Sequence, residues 1–177
     1  MNRHLAVIDM QVVFANPASP WATPRFAQIV PRVQQLVESM APRVTFTRFV
    51  PPPVPHGSWQ TYYDRWPFAL TSPDAELYDV VTDLAPGTSH VVTATTFSKW
   101  GHELAAAVGD GTLVLAGVST DCCVLSTALA AADAGVPVQV VEDVCAGVDD
   151  ASHAKAIDIL RLYAPMIDVV RSGTLIA

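Results

Sequence analysis

The chain has 177 residues and a formal net charge of −7, with 51% hydrophobic and 15% charged residues. This length is typical of one domain with a substantial core, so we predict a single domain over residues 1–177. The negative charge argues against nucleic acid or an anionic membrane as a partner. The three cysteines form a poor disulfide framework, and no signal peptide or membrane-spanning run is recognisable, so we expect a cytoplasmic protein.

Short apolar runs alternate with helical patterns along the chain. The predicted strands are His4–Asp9, Val44–Thr47, Val91–Thr95, Leu113–Ala116, Val138–Val141 and Met166–Val170. Helices are predicted over Pro31–Met40, after Gly117 and over Ala151–Leu162. The alternation indicates a doubly wound α/β fold, in which helices cover both faces of a parallel sheet. In such a sheet the ligand site lies beyond the carboxyl ends of the strands.

The proline-rich segment 49–74 interrupts this alternation and is long for a loop without a function. It contains aromatic residues at the spacing of one helix face, namely Trp59, Tyr62, Tyr63 and Trp66. We predict a short helix here, capped by Ser58. An aromatic stripe more often packs in a core or a subunit interface, but loops over strand ends also carry binding residues. We interpret the segment as a lid or dimer contact that also walls the pocket.

Residues 111–135 read as an apolar strand, a turn and an Ala- and Leu-rich helix. Thr120 and Asp121 are predicted helix caps, which places Cys122 and Cys123 in the first helical turn. Free N–H groups and the helix dipole favour an anion there, so the pKa of a thiol is expected to fall. Adjacent helical residues point about 100° apart, so periodicity does not select between the two cysteines. Either is a candidate nucleophile, or both are small core residues.

A catalytic thiol needs an acid–base partner, and Asp9 is the best candidate. It follows the apolar run Leu5–Ile8, and a carboxylate at the end of a buried strand must be hydrogen-bonded or functional. The alternative is an aspartate that only caps a loop.

Two motifs resemble those of the isochorismatase-like cysteine hydrolases, a superfamily that includes nicotinamidases, N-carbamoylsarcosine amidases and isochorismatases. The run 117–124, GVSTDCCV, with Thr127-Ala128 after it, is similar to the nucleophile signature and places the nucleophile at Cys123. Ile8-Asp9-Met10-Gln11 resembles the first motif, whose aspartate is the general base, although Val12-Val13-Phe14 replaces its usual Asn-Asp-Phe. The resemblance implies a three-layer, Rossmann-like α/β/α fold with a six-stranded parallel sheet.

The family also has a lysine four residues before a serine, near the end of a strand. Counting back from Ser98 gives Ala94, whereas Lys99 follows the serine directly. The long side chain of Lys99 can reach the cleft from this shifted position, or it can be solvated at the start of the next helix. The sequence leaves both interpretations open, with Lys99 as the third candidate catalytic residue.

The resemblance further implies an oxyanion hole made by the N–H groups of Ser119 and Cys123. The pocket walls are predicted to be aromatic and to include Phe14, Trp59, Tyr63, Trp66, Phe97 and Trp100. Nicotinamidases of the superfamily hold a metal with an Asp-x-His motif after the second strand, but residues 47–51 are TRFVP and His56 stands alone. We therefore expect neither a metal nor another cofactor.

The resemblance thus implies a hydrolase that cleaves a C–N bond of a small amide, ureido or cyclic-amide substrate through a thioester on Cys123. A homodimer or homotetramer is expected from the family. One alternative is an isochorismatase-type hydrolase of a vinyl ether, which relies on the aspartate and the lysine. Another is a binding member of the fold without catalytic activity, suggested by the displaced lysine and the altered first motif.

Overall fold

The computed structural model describes residues 2–176 and contains a sheet of six parallel strands. The strands are β1 (Arg3–Ile8), β2 (Val44–Phe49), β3 (His90–Ala94), β4 (Thr112–Val118), β5 (Val138–Ala146) and β6 (Ile167–Val170). Their order across the sheet is β3-β2-β1-β4-β5-β6. The structure confirms the predicted doubly wound α/β/α fold and places β1 between β2 and β4 at its centre.

Helices connect the strands and cover both faces of the sheet. They are α1 (Val12–Ala15), α2 (Phe26–Met40), α3 (Ser58–Arg65), α4 (His102–Val108), α5 (Leu125–Asp133) and α6 (Asp150–Arg161). Single 3₁₀ turns lie at Pro67–Ala69, Glu76–Tyr78, Thr82–Leu84 and Ser172–Thr174. Within residues 2–176, no helix combines the length and the apolar character needed to cross a membrane.

Successive residues of the central strands point to opposite faces and pack into two separate cores. Leu5 and Val7 of β1 pack in the core beneath α1, α2 and α3. Ala6 and Ile8 pack in the second core, beneath α4, α5 and α6. Because both faces are covered, β1 and β4 are almost wholly buried, which explains the continuous apolar runs in their sequences.

Several elements differ from their predicted extents. Helix α2 begins at Phe26 because Phe26 and Ile29 extend its buried face toward the sheet. Helix α4 was not predicted, since its seven residues give too short a pattern. The prediction of Ser58 as a helix cap is wrong: Ser58 is the first residue of α3, and Gly57 precedes it with a φ of 59°.

The backbones of β1 and β4 approach closely at Gly117. This residue pairs with Ile8 in the ladder, and a Cβ added to it would lie 2.2 Å from the Ile8 carbonyl oxygen. Its φ of 114° is also one that L side chains rarely adopt. Glycine therefore lets the segment before Asp9 and the segment before the two cysteines lie side by side.

The Gly117→Ala variant is expected to lose at least about 3 kcal/mol of unfolding free energy, because backbone strain adds to a clash with main-chain atoms. Gly135→Ala is the matched control: its φ is also positive, at 83°, but nothing lies within 4 Å of an added Cβ. It should lose only ~1–2 kcal/mol. Urea unfolding followed by circular dichroism measures both, and equal losses would contradict the steric explanation.

Candidate active site

Asp9 follows the last residue of β1 and is fully buried. Its Oδ1 accepts a hydrogen bond of 2.6 Å from the Thr47 hydroxyl, and its N–H donates to the same hydroxyl oxygen at 3.1 Å. Its φ of 47° is a left-handed conformation that residues other than glycine rarely occupy. Within residues 2–176, Oδ2 accepts no well-aligned hydrogen bond. The carboxyl group is thus engaged across the sheet and keeps one oxygen available to a proton donor.

Lys99 lies in the loop between β3 and α4, and its side chain is 0% exposed. Its Nζ is 3.0 Å from Asp9 Oδ2 and donates a hydrogen bond of 2.8 Å to the Thr96 carbonyl oxygen. The ammonium also lies 4.7 Å from the centre of the Phe49 ring, within the range of a cation–π contact. Of the two interpretations left open by the sequence, the structure therefore shows the buried one. The displaced lysine forms an ion pair with the candidate base.

Cys122 and Cys123 lie in a π-helical turn over Thr120–Val124, which leads directly into α5. The Ser119 carbonyl oxygen accepts hydrogen bonds of 3.1 Å from the N–H groups of Cys122 and Val124. Cys123 is buried, Cys122 is partly exposed, and both line one cavity. The turn therefore presents both sulfur-bearing residues at the carboxyl end of β4, one strand away from Asp9.

The predicted capping roles of Thr120 and Asp121 are wrong, since no side chain caps this turn. Both residues instead bind the segment that follows β5. The Thr120 hydroxyl lies 2.8 Å from Nδ1 of His153, and Asp121 Oδ1 accepts a hydrogen bond of 2.9 Å from the Val148 N–H. These contacts hold the outer side of the turn against the start of α6.

The pKa of the Cys123 thiol is raised well above its ordinary value. The largest cause is its hydrogen-bonding contact with Cys122, followed by burial and the negative charge of Asp9, while Lys99 lowers the pKa. The prediction of a lowered pKa is therefore wrong for Cys123, because the contact with Cys122, loss of hydration and a nearby carboxylate disfavour its thiolate. The pKa of Cys122 is lowered, chiefly by its hydrogen bond with Cys123. Cys123 rests as a thiol and needs a base when it attacks.

The Ser119 N–H has no hydrogen-bond partner in the part of the chain that the structure describes. The N–H groups of Cys122 and Val124, on either side of Cys123, donate to the Ser119 carbonyl oxygen. Among the described residues, the Cys123 N–H does not donate to that oxygen. The peptide bond between Val118 and Ser119 is cis. The two amides named for the oxyanion hole thus belong to the same tight turn.

Thr127, on the first turns of α5, joins the lysine loop to the cysteine turn. Its Oγ1 accepts a hydrogen bond of 2.9 Å from the Lys99 N–H and donates one of 2.7 Å to the Cys123 carbonyl oxygen. Thr127 is fully buried. One hydroxyl therefore fixes the position of two candidate catalytic residues.

Replacing Thr127 by valine keeps the shape of the side chain but removes both hydrogen bonds. We expect the unfolding free energy to fall by about 1–3 kcal/mol, because a buried N–H and a buried carbonyl lose their partner. We also expect kcat/KM for a turned-over amide to fall about tenfold, as the catalytic groups lose their fixed spacing. Thr127→Ser keeps the hydroxyl and should retain most of the activity, whereas equal effects of valine and serine would argue against this positioning role.

A cavity of about 470 Å³ opens above the cysteine turn. It is lined by Phe14, Pro20, Trp21, Ala22, Phe49, Tyr62, Trp66, Phe97, Ser119, Asp121, Cys122, Cys123 and Val148. Phe14, Trp66 and Phe97 therefore lie where the sequence predicted them. The segment 49–74 forms one wall through α3 and the residue after it.

Three predicted pocket residues do not line this cavity. Tyr63 is 1% exposed because it faces the core, and its neighbour Tyr62 faces the cavity instead. Trp59 packs behind the wall, 4.8 Å from Phe97 between ring centres. Trp100 lines a separate depression beside β3 and packs toward the other core.

The sequence analysis missed Trp21 and Phe49, which complete the aromatic wall. Trp21 contacts five aromatic rings, including that of Phe14 at 6.1 Å and that of Tyr62 at 6.0 Å. It lies in an irregular loop, so no periodicity marks it. Phe49 ends β2, and the rule that sites lie beyond strand ends was the available signal for it.

A larger groove of about 960 Å³ lies between α2 and the start of α6. Several of its charged side chains are paired with one another, as in Arg25 with Asp150 at 2.5 Å and Arg32 with Asp143 at 2.6 Å. It shares no lining residue with the cavity above Cys123. Asp121, Cys122 and Cys123 therefore line only the smaller, aromatic cavity of these two.

The residues present do not fit the metal site of nicotinamidases. Residues 47–51, at the carboxyl end of β2, contain neither the acid nor the histidine that such a site needs, and the Thr47 hydroxyl is already bound to Asp9. Among the described residues, no group of three His, Cys, Asp or Glu side chains is placed to hold a metal ion.

Comparison with protein families matches residues 4–171 to the model of the isochorismatase domain. Comparison with curated proteins gives no match. Solved structures with the same fold include a cysteine hydrolase from Pseudomonas syringae pv. phaseolicola 1448A, with 20% identity and a TM-score of 0.87 over 99% of this chain and 91% of that one.

Two further solved structures are similar over nearly the whole chain. N-carbamoylsarcosine amidase from Thermoplasma acidophilum shares 23% identity, with a TM-score of 0.78 over 97% of each chain. Nicotinamidase from Bacillus subtilis shares 20% identity, with a TM-score of 0.75 over 97% of this chain and 100% of that one. These likenesses show that the fold is common to all three.

Proposed function

Because the chain belongs to the isochorismatase-domain family, we propose that it is a cysteine hydrolase that cleaves the C–N bond of a small amide through a thioester on Cys123. The observation that carries the proposal is the buried ion pair of Asp9 and Lys99, 3.0 Å apart, beside a buried thiol that lines an aromatic cavity. Burying two opposite charges away from water costs desolvation free energy. A role in proton transfer would explain why such a pair is present in this site.

In the first half of the reaction, Asp9 Oδ2 accepts the proton of the Cys123 thiol as sulfur attacks the amide carbonyl carbon. Among residues 2–176 Oδ2 accepts no well-aligned hydrogen bond and contacts only the Lys99 ammonium, whereas Oδ1 is held by Thr47, and this supports the role of Oδ2. The Ser119 and Cys123 N–H groups stabilise the negative oxygen of the tetrahedral intermediate. Asp9 then passes the proton to the leaving nitrogen, the C–N bond breaks, and an acyl thioester remains on Cys123.

In the second half, a water molecule takes the place of the released amine or ammonia. Asp9 accepts a proton from this water. The water oxygen attacks the thioester carbonyl carbon, and the C–S bond breaks. Asp9 returns the proton to the sulfur, and the acid product leaves. Lys99 remains an ammonium throughout; its positive charge stabilises the carboxylate at rest and the sulfur anion during attack.

Intact-protein mass spectrometry tests the proposal directly. The protein is mixed with a panel of small primary amides, quenched in acid after milliseconds to seconds, and examined for an added acyl mass on the peptide that contains Cys123. We expect an adduct that hydroxylamine removes, as a thioester requires. Absence of any adduct and of any acid product across the panel would refute the proposal.

Alkylation separates the proposal from the vinyl-ether alternative. Iodoacetamide is added to the Cys122→Ser variant until Cys123 is fully modified, and both amide and isochorismate hydrolysis are then measured. The proposal expects amide hydrolysis to disappear with modification. Isochorismate hydrolysis that persists on the fully alkylated protein would favour the alternative, since that reaction does not need the sulfur.

A further inference from the structure

The walls of the cavity above Cys123 are apolar and aromatic. Rings of Phe14, Trp21, Phe49, Tyr62, Trp66 and Phe97 surround it, and Pro20, Ala22 and Val148 complete the apolar surface. Aromatic rings of this kind favour flat or bulky apolar groups through dispersion and loss of water. The acyl part of a bound substrate therefore meets hydrocarbon on most sides.

The one carboxylate in the lining is Asp121, and the lining contains no Arg, Lys or His side chain among the residues that the structure describes. The hydrogen bond of Asp121 Oδ1 with the Val148 N–H fixes this carboxylate at the cavity wall. Tyr62 stays a neutral phenol, because burial and the neighbouring thiols raise its pKa. The charge of the lining at neutral pH is therefore negative.

Neither Lys99 nor Arg65 offsets this charge, and burial lowers the pKa of His153. Lys99 is fully buried behind the wall, and its ammonium is already paired with Asp9. Arg65 lies outside, with its guanidinium 5.3 Å from the centre of the Trp66 ring, and is exposed to solvent that screens it. A carboxylate that entered the cavity would lose its hydration without gaining a cation.

We infer that the cavity selects an uncharged amide with an apolar, aromatic-sized acyl group, and that Asp121 is the residue that excludes amides carrying a carboxylate. This inference rests on the proposed function for its chemistry, but it concerns which molecules enter the cavity. A site that binds an anionic substrate is expected to offer a basic side chain, whereas the charged residue in this lining is Asp121.

Two probes of matched shape test the inference, 4-methylbenzamide and 4-carboxybenzamide. Binding is measured by tryptophan fluorescence with the Cys123→Ala variant, since Trp21 and Trp66 line the cavity and no turnover interferes. We expect the methyl compound to bind at least about 30-fold more tightly than the carboxylate, and kcat/KM of the unmodified protein to show the same preference.

The Asp121→Asn variant identifies the residue responsible. Asparagine keeps an oxygen for the Val148 N–H but removes the charge, so the preference for the methyl compound should fall about tenfold. Asp110→Asn is the control: it changes net charge equally, but Asp110 is exposed at the amino end of β4, away from the cavity. Its preference should equal that of the unmodified protein.

The outcomes distinguish the two proposals. Equal or tighter binding of the carboxylate, or no binding of either probe, overturns the inference. A preference unchanged by Asp121→Asn, or changed equally by Asp110→Asn, overturns the role of Asp121. Selective binding of the neutral probe, combined with no acyl adduct and no acid product from the unmodified protein across the amide panel, supports the inference while refuting the proposed hydrolase.

Discussion

Replacing Cys123 by serine is expected to lower kcat/KM for amide substrates by at least about 10³-fold and to abolish the covalent adduct. Serine keeps the size of the side chain, and Cys123 is buried, so the loss reports chemistry more than packing. A hydroxyl is a far weaker acid than a thiol, and a single carboxylate does not deprotonate it effectively. Steady-state kinetics and intact mass measure the two effects.

Cys122→Ser is the matched control, because it makes the same substitution one residue earlier in the same turn. Cys122 is partly exposed and is not the residue that the motif identifies. We expect its activity to stay within about tenfold of the unmodified protein. If the serine variant at 122 lost the adduct and the variant at 123 kept it, the nucleophile assignment would be reversed.

Breaking the pair of Asp9 and Lys99 is expected to have the second largest effect, on both stability and activity. Removing one member leaves the other buried and uncompensated, so Lys99→Met and Asp9→Asn should each lose about 3–5 kcal/mol of unfolding free energy. Activity should fall by at least about 10²-fold in each, since one variant lacks the base and the other the charge that stabilises it. Urea unfolding and kinetics at a temperature where both variants are folded provide the measurements.

The double variant Asp9→Asn/Lys99→Met tests whether the two side chains act as a pair. It removes both charges at once, so its loss of unfolding free energy should be smaller than the sum of the two single losses. We expect it to remain inactive. Additive losses would show that the two charges do not depend on one another. An unchanged kcat/KM in Lys99→Met would exclude a catalytic role for the lysine.

Local sequence patterns were sufficient to place Asp9 and the pair of cysteines beyond apolar strands, but the choice of Cys123 over Cys122 came from the resemblance. Asp9 comes directly after buried strand β1, and Cys123 lies in the turn that follows buried strand β4, where the hydrophobic runs and the turn residues identify their place in the fold. Lys99 was harder, because it lies outside the expected position and its place depends on how one irregular loop folds back. Its burial is decided by the Thr96 carbonyl, the Phe49 ring and Asp9, which come from three separate segments.

The cavity walls show where sequence reasoning stops. The helical spacing in segment 49–74 indicated a face of α3, but a rotation by one residue decides whether Tyr62 or Tyr63 meets the cavity. Trp21 lies outside any helix or strand, so no periodic pattern predicts which way its side chain points. The pKa of Cys123 depends first on Cys122 and on burial and then on the charge of Asp9, and neither the burial nor the approach of Asp9 is visible in the sequence of the cysteine turn.

The central place of β1 has a consequence for how the protein acquires activity. Asp9 and Cys123 come together only when Ile8 pairs with Gly117, and this closes a loop of more than half the chain. Closing so long a loop is slow, because the chain loses conformational entropy before the distant contacts stabilise it. We expect these contacts to form after those between residues close in sequence. During refolding from urea, we therefore expect substrate turnover to recover later than the helical circular-dichroism signal. The rate at which turnover recovers would then measure how fast β1 pairs with β4.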